Sequence, residues 1–141
     1  MLRETFRIAL KIAALNDLDV LACDIHNAYL TVDCRERVWV VAGPEFESEA
    51  GNNMLMRNTL YGLKSSGAAF SAFRADTLDA MGYRSSYSNP YLWLRLAAKL
   101  DGFKYYEYIL CYVDDMLCIS HNPRKSMKSI KEDFKLKYDK I

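Results

Sequence analysis

No two of the four cysteines, Cys23, Cys34, Cys111 and Cys118, form a CxxC pair, and no closely spaced histidine pair accompanies them. That argues against a zinc site and against the dense disulfide framework of a small secreted domain, so a reducing intracellular compartment is expected. Long apolar runs are missing as well. The one near the start, "FRIALKIAAL", contains Arg7 and Lys11, is too short to span a bilayer and lacks signal-peptide flanks, so no membrane association is expected. There are no internal repeats, low-complexity tracts or interior linkers. Nor is there an excess of charge: the net value is +1, and bulk electrostatics single out no partner. The charge is uneven, however. From Pro123 to Ile141 seven Lys/Arg stand against three Asp/Glu, which gives that segment +4 and the remainder −3.

What is present suffices for one packed core: 141 residues, 51% apolar and 13% aromatic. In "ETFRIALKIAALND", Phe6, Ala9, Leu10, Ala13 and Ala14 recur at helical spacing, and the helix should end near Asn16-Asp17. "LDVLACD" reads as a buried strand ending on Asp24, and "ERVWVVAG" as a second strand stopped by Gly43-Pro44 before the polar loop "EFESEAGNN". "NMLMRNTLYGL" reads as a strand leading to a turn at Gly62. Beyond it, Ala69, Phe70, Phe73, Thr77, Leu78 and Met81 mark a helix face that ends at Gly82. "YLWLRL", "YYEYILCYV" and "MLCIS" give two linked hairpins, the first turning at Asp101-Gly102 and the second with Val113-Asp114 at or near its tip. A last helix begins near Pro123 and carries Met127, Ile130, Phe134 and Tyr138 as its buried stripe. The expected fold is α+β, one domain over residues 1–141 with helices packed on a mostly antiparallel sheet.

"LCYVDDMLCIS" places two adjacent carboxylates, Asp114 and Asp115, inside an apolar run. An unpartnered ionised carboxylate is costly to bury, so the pair belongs at the turn, where the chain leaves the core. Asp is in any case a common turn residue, and Asp24 at the end of its strand could simply cap the next element. Taken together, the two stretches bring three carboxylates towards one edge of one sheet. Like charges so placed repel, and two divalent cations about 3.5–4 Å apart are the usual compensation. Oxygen ligands without soft donors favour Mg2+ over zinc, with Mn2+ as a substitute, and two such ions suit in-line phosphoryl or nucleotidyl transfer.

The ordered blocks "CDIHNAYL", "LYGLKSSGAAF" and "YVDDM" closely resemble the reverse transcriptase of copia-type long-terminal-repeat retrotransposons, from about Arg3 to the last residue. The resemblance implies a partial fingers–palm reverse transcriptase fold and an RNA-directed DNA polymerase. It implies catalytic and metal-binding roles for Asp24, Asp114 and Asp115, the last binding metal less directly. By the same resemblance, Asn27 and Ala28 offer backbone to the incoming triphosphate, and Tyr29 is the aromatic gate against a ribose 2′-hydroxyl. Gly62 lines the nucleotide and template floor, and Tyr61 and Lys64 edge the pocket. Tyr112 and Val113 shape the turn and approach the primer end. The implied partners are an RNA or DNA template with primer and deoxynucleoside triphosphates. His26 matches no required position and reads as a solvent-facing loop residue. Cys23 and Cys111 adjoin the site, which suggests sensitivity to thiol reagents. The basic last helix offers either a solvated face or a contact to nucleic-acid backbone.

The chain departs from the family's pattern at "SSGA", which comes after Lys64 where many members have a Gln-Ala-Pro-Arg type sequence. The thumb and the ribonuclease H domain of the family are expected to lie outside this segment. Two other readings stand beside the polymerase: an inactive retrotransposon relic or reused nucleic-acid-binding module, and an unrelated palm-like enzyme such as a nucleotidyl cyclase. The cyclase would have no use for the Tyr29 gate or the "LYGLK" block.

Overall fold

Alternating burial along a strand and three-to-four-residue burial along a helix account for most of the architecture. The computed structural model describes residues 3–133 and 136–138. The chain forms two compact units, one from residues 1–26 and 74–141 and the other from Asn27–Phe73.

The larger unit is built on a sheet of six strands. In chain order these are β1 (Asp19–Ile25), β4 (Arg84–Ser85), β5 (Leu92–Ala98), β6 (Lys104–Tyr112), β7 (Asp115–Ser120) and β8 (Leu136–Tyr138). Their spatial order is β4-β5-β6-β7-β1-β8, and every pairing is antiparallel. In β6, Ile109, Leu110 and Cys111 are buried in succession, so both faces of the central sheet are covered. Helix α1 (Arg3–Leu15) covers one face: Ala9 and Ala13 pack with Leu18, Leu110 and Ile119. Phe6 adds to this contact, whereas Leu10 and Ala14 turn out to be exposed, because the buried stripe is narrower than the apolar one. α1 ends with Asp17 in the left-handed conformation (φ 51°), and the Leu18 N–H closes back on the Ala13 carbonyl at 2.9 Å. Lys99 Nζ donates to the Asn16 carbonyl at 2.8 Å, placing a cation at the negative end of the helix.

Helix α3 (Pro123–Asp133) lies on the other face. Its Met127 and Ile130 are fully buried, and Ser126 donates to Glu107 of β6 at 2.9 Å. The stripe expected to run on through Tyr138 stops short. Leu136–Tyr138 is a strand, with Tyr138 opposite Cys23 and Leu136 opposite Ile25, because the outer edge of β1 is free to pair and the ladder overrides the local helical period. Phe134 lies outside the described residues.

Helix α2 (Ser66–Ala80) begins in the smaller unit and ends in the larger. It stops where the sequence indicates. Gly82 takes φ +84°, its N–H donates to the Asp79 carbonyl at 2.9 Å, and the Tyr83 N–H donates to the Leu78 carbonyl at 3.0 Å, which together form a glycine-closed Schellman cap.

In the smaller unit, β2 (Trp39–Val41) pairs with β3 (Asn53–Leu55), and two short 3₁₀ turns within Pro44–Glu49, separated by a kink at Glu47, occupy the stretch expected to be an irregular loop. All three residues of β2 are exposed, so the second strand is shorter and less buried than "ERVWVVAG" suggests.

Candidate active site

β1 leaves the core through Asp24 and Ile25, one residue further than the sequence indicates. Leu21, Cys23 and Ile25 alternate into the interior, and Asp24, between two of them, points the other way and is half-buried. β6 and β7 are joined by two residues, Val113 and Asp114, with Tyr112 and Asp115 paired across the turn. Asp115 is therefore the first residue of β7 and not a turn residue. The same register sets it directly opposite Asp24 on β1, and the Ile25 N–H donates to the Asp114 carbonyl at 2.9 Å.

One ligand oxygen from each of Asp24, Asp114 and Asp115 lies within 4.8 Å of the others. Among the described residues this is the only group of three or more acidic, histidine or cysteine side chains so disposed. The donor set is oxygen alone. Cys23, next to Asp24, and Cys111, three residues before Asp114, are both buried, and the Cys23 thiol donates to the Met116 carbonyl at 3.7 Å.

Val113 has φ 54°, a left-handed conformation rare for a β-branched residue, and the Arg74 guanidinium donates to its carbonyl. Arg74 is itself buried. Sequence reasoning missed it, although Phe70, Arg74 and Leu78 fall at four-residue steps on one helix face, where a cation invites a question. Beside Asp115 a cavity of about 170 Å³ opens between Phe6, Leu110, Tyr112 and Leu117, and Tyr112 and Val113 are both exposed. His26 comes after β1 in a turn and is half-buried, not solvent-facing as expected.

The remaining expected site residues belong to the smaller unit. Asn27 is left-handed (φ 55°, ψ 39°), a conformation that asparagine tolerates, and it precedes a 3₁₀ turn, Ala28–Thr31, with Ala28 fully buried. The Tyr29 ring meets Tyr61 edge-on at 4.5 Å between centroids and Phe70 edge-on at 5.7 Å. Gly62 has φ +97°, which a side chain would resist, and nothing lies within 4 Å of where its Cβ would be. Tyr61 and Lys64 are exposed on either side of it.

The model of the family described as reverse transcriptase (RNA-dependent DNA polymerase) matches residues 2–140. The chain belongs to that family. This reverse transcriptase domain is similar to the retrovirus-related Pol polyprotein from transposon TNT 1-94 of Nicotiana tabacum, with 25% identity over 137 residues. The match covers 96% of this chain and 10% of that polyprotein, so the domain spans about a tenth of its relative's length. The copia-type assignment made from the three sequence blocks therefore stands. Among the described residues, no helix of the reverse transcriptase domain is long and apolar enough to cross a membrane.

The expected sensitivity of Cys23 and Cys111 to thiol reagents does not fit their surroundings. Burial pushes the Cys111 thiol up to about 11, so it holds little thiolate at neutral pH, and Cys118 is raised by burial as well.

Proposed function

We propose that this chain is the catalytic fingers-and-palm portion of an RNA-directed DNA polymerase, with Asp24, Asp114 and Asp115 as its nucleotidyl-transfer centre. The observation that carries this reading is the convergence of three carboxylate oxygens within 4.8 Å at one end of the sheet. Hard oxygen donors fit Mg2+, with Mn2+ as a substitute; Asp24 and Asp114 would hold the ions most directly and Asp115 less so. When bound, such ions supply the positive charge that assists hydroxyl attack on phosphorus and departure of pyrophosphate.

The protein's own part is positioning. Strand register holds Asp24 and Asp115 face to face, and the bonds from Ile25 and Arg74 to the two turn carbonyls hold Asp114 in place, so little reorganisation is needed at the moment of reaction. Tyr112, exposed beside Asp115, is suited to the primer end. The backbone of Asn27 and Ala28 serves the triphosphate. Tyr29 serves sugar selection, since a packed ring leaves no room for a 2′-oxygen. Tyr61, Gly62 and Lys64 serve the nucleotide's surroundings, with the Lys64 ammonium available to a phosphate. Template, primer and deoxynucleoside triphosphates are the partners, and a thumb and a ribonuclease H domain would come from other parts of a longer polyprotein.

RNA-templated deoxynucleotide incorporation with Mg2+, in the wild-type chain beside Asp24→Asn and Asp114→Asn, tests the reading. Incorporation by the wild type and background levels in both variants are expected. Equal incorporation in all three would remove the carboxylates from the mechanism.

A further inference from the structure

A 3₁₀ turn of four residues has too few internal hydrogen bonds to hold its own shape, yet Ala28–Thr31 carries the Tyr29 ring. Side chains hold its carbonyls, one from within the turn and two from outside it. Thr31 Oγ1 donates to the Ala28 carbonyl at 2.6 Å, and Asn58 Nδ2 donates to the Leu30 carbonyl at 2.9 Å. Thr59 Oγ1 donates to the carbonyl of Tyr29 itself, which accepts a longer bond, 3.3 Å, from the Val32 N–H. The Thr59 N–H in turn donates to the Val32 carbonyl at 2.8 Å. Asn58 and Thr59 thus make three successive bonds to the Tyr29 turn, and Thr59 is fully buried. Tyr61, two residues on, places its ring against that of Tyr29. One short segment therefore fixes both the main chain and the ring.

We propose that Thr59, assisted by Asn58, is a positioning residue that sets the height of the Tyr29 ring and so governs discrimination between deoxyribose and ribose. This rests on the reading of Tyr29 as the sugar-selecting ring. Exclusion by contact is steep in distance, so a ring free to shift by a fraction of an ångström admits an extra oxygen. Thr59→Val keeps the volume and removes only the hydroxyl, leaving the Tyr29 carbonyl with its weaker partner.

The test compares wild type, Thr59→Val, Thr59→Ser and Tyr29→Ala by two readouts. The first is the ratio of ribonucleotide to deoxynucleotide incorporation, resolved into KM and kcat. The second is the fluorine NMR signal of Tyr29 in the chain labelled with fluorotyrosine, assigned with Tyr29→Phe. Thr59→Val should raise the ribonucleotide ratio roughly five-fold, chiefly through a lower ribonucleotide KM, and should shift or broaden the Tyr29 signal. Thr59→Ser should restore both. If Thr59→Val does not fold, Asn58→Ala, an exposed position that loses only the bond to Leu30, should move both readouts in the same direction. A Tyr29 signal unchanged by these variants overturns the proposal, as does an unchanged sugar ratio where Tyr29→Ala alters it. If Tyr29→Ala itself leaves the ratio unchanged, or the wild type incorporates neither sugar, the underlying reading fails and sugar control by Thr59 fails with it. The NMR signal still decides separately whether Thr59 fixes the ring.

Discussion

Asp24 and Asp115 are direct partners across two hydrogen-bonded strands and carry the same charge. Like charges so opposed are destabilising by up to about 1 kcal/mol, so the residues proposed for catalysis weaken the sheet that presents them. In the presence of a chelator, Asp24→Asn should melt about 3 °C above the wild type, whereas added Mg2+ should raise the wild type and leave the variant nearly unmoved. Thermal unfolding with and without Mg2+ checks this, and a variant that melts below wild type in chelator would contradict it. Asp24 was legible in the sequence because an apolar strand ended on it, and Asp114 because a hairpin needs a polar tip. Thr59 was not legible. It sits in "MRNTLYGLK" as one more small polar residue, and its importance comes from a carbonyl thirty positions earlier in the chain, which no local pattern encodes.

At the level of elements, the sheet and α3 are joined through one buried acid. Glu107 of β6 accepts from Arg95 Nη2 of β5 at 2.8 Å, from Tyr83 Oη at 2.9 Å, from Ser120 of β7 at 2.8 Å and from Ser126 of α3 at 2.9 Å, with its side chain only 6% exposed. Burial pushes its carboxyl up, but the hydrogen bonds from Arg95, Ser120, Tyr83 and Ser126 outweigh it and hold the group below its ordinary value of 4.5. A carboxyl lowered on folding contributes stability that is fully present above 4.5 and lost as the pH falls through the folded-state value. Wild type should therefore lose melting temperature on acidification below that point, and Glu107→Gln, less stable at neutral pH by roughly 3 kcal/mol, should lose less. Parallel curves of melting temperature against pH would refute it. The same elements show where pattern reading holds and where it stops. β1, β6 and β7 were legible as short apolar runs bounded by polar residues, and α2 because its apolar residues recur at helical spacing up to Gly82. The far end of α3 was misread because Leu136–Tyr138 answers to the open edge of β1 and not to its own sequence.

For the whole molecule, a chain of this family spanning a tenth of its relative's length keeps the carboxylate end of the sheet within one unit and the Tyr29 turn within the other. The cysteines have a use that chemistry alone confers on them. Cys111 is fully buried three residues before Asp114, and alkylation requires both access and thiolate, which it gains only when the core around it opens. Half-buried Cys34 should react first, and Cys23, Cys111 and Cys118 should react orders of magnitude more slowly, as timed alkylation with peptide mapping would show. Labelling of Cys111 as fast as Cys34 would contradict the closed core. The unit bearing the carboxylates thus holds an unlabelled stopwatch for its own opening, and any cation or nucleotide that grips the end of the hairpin should make it run slow.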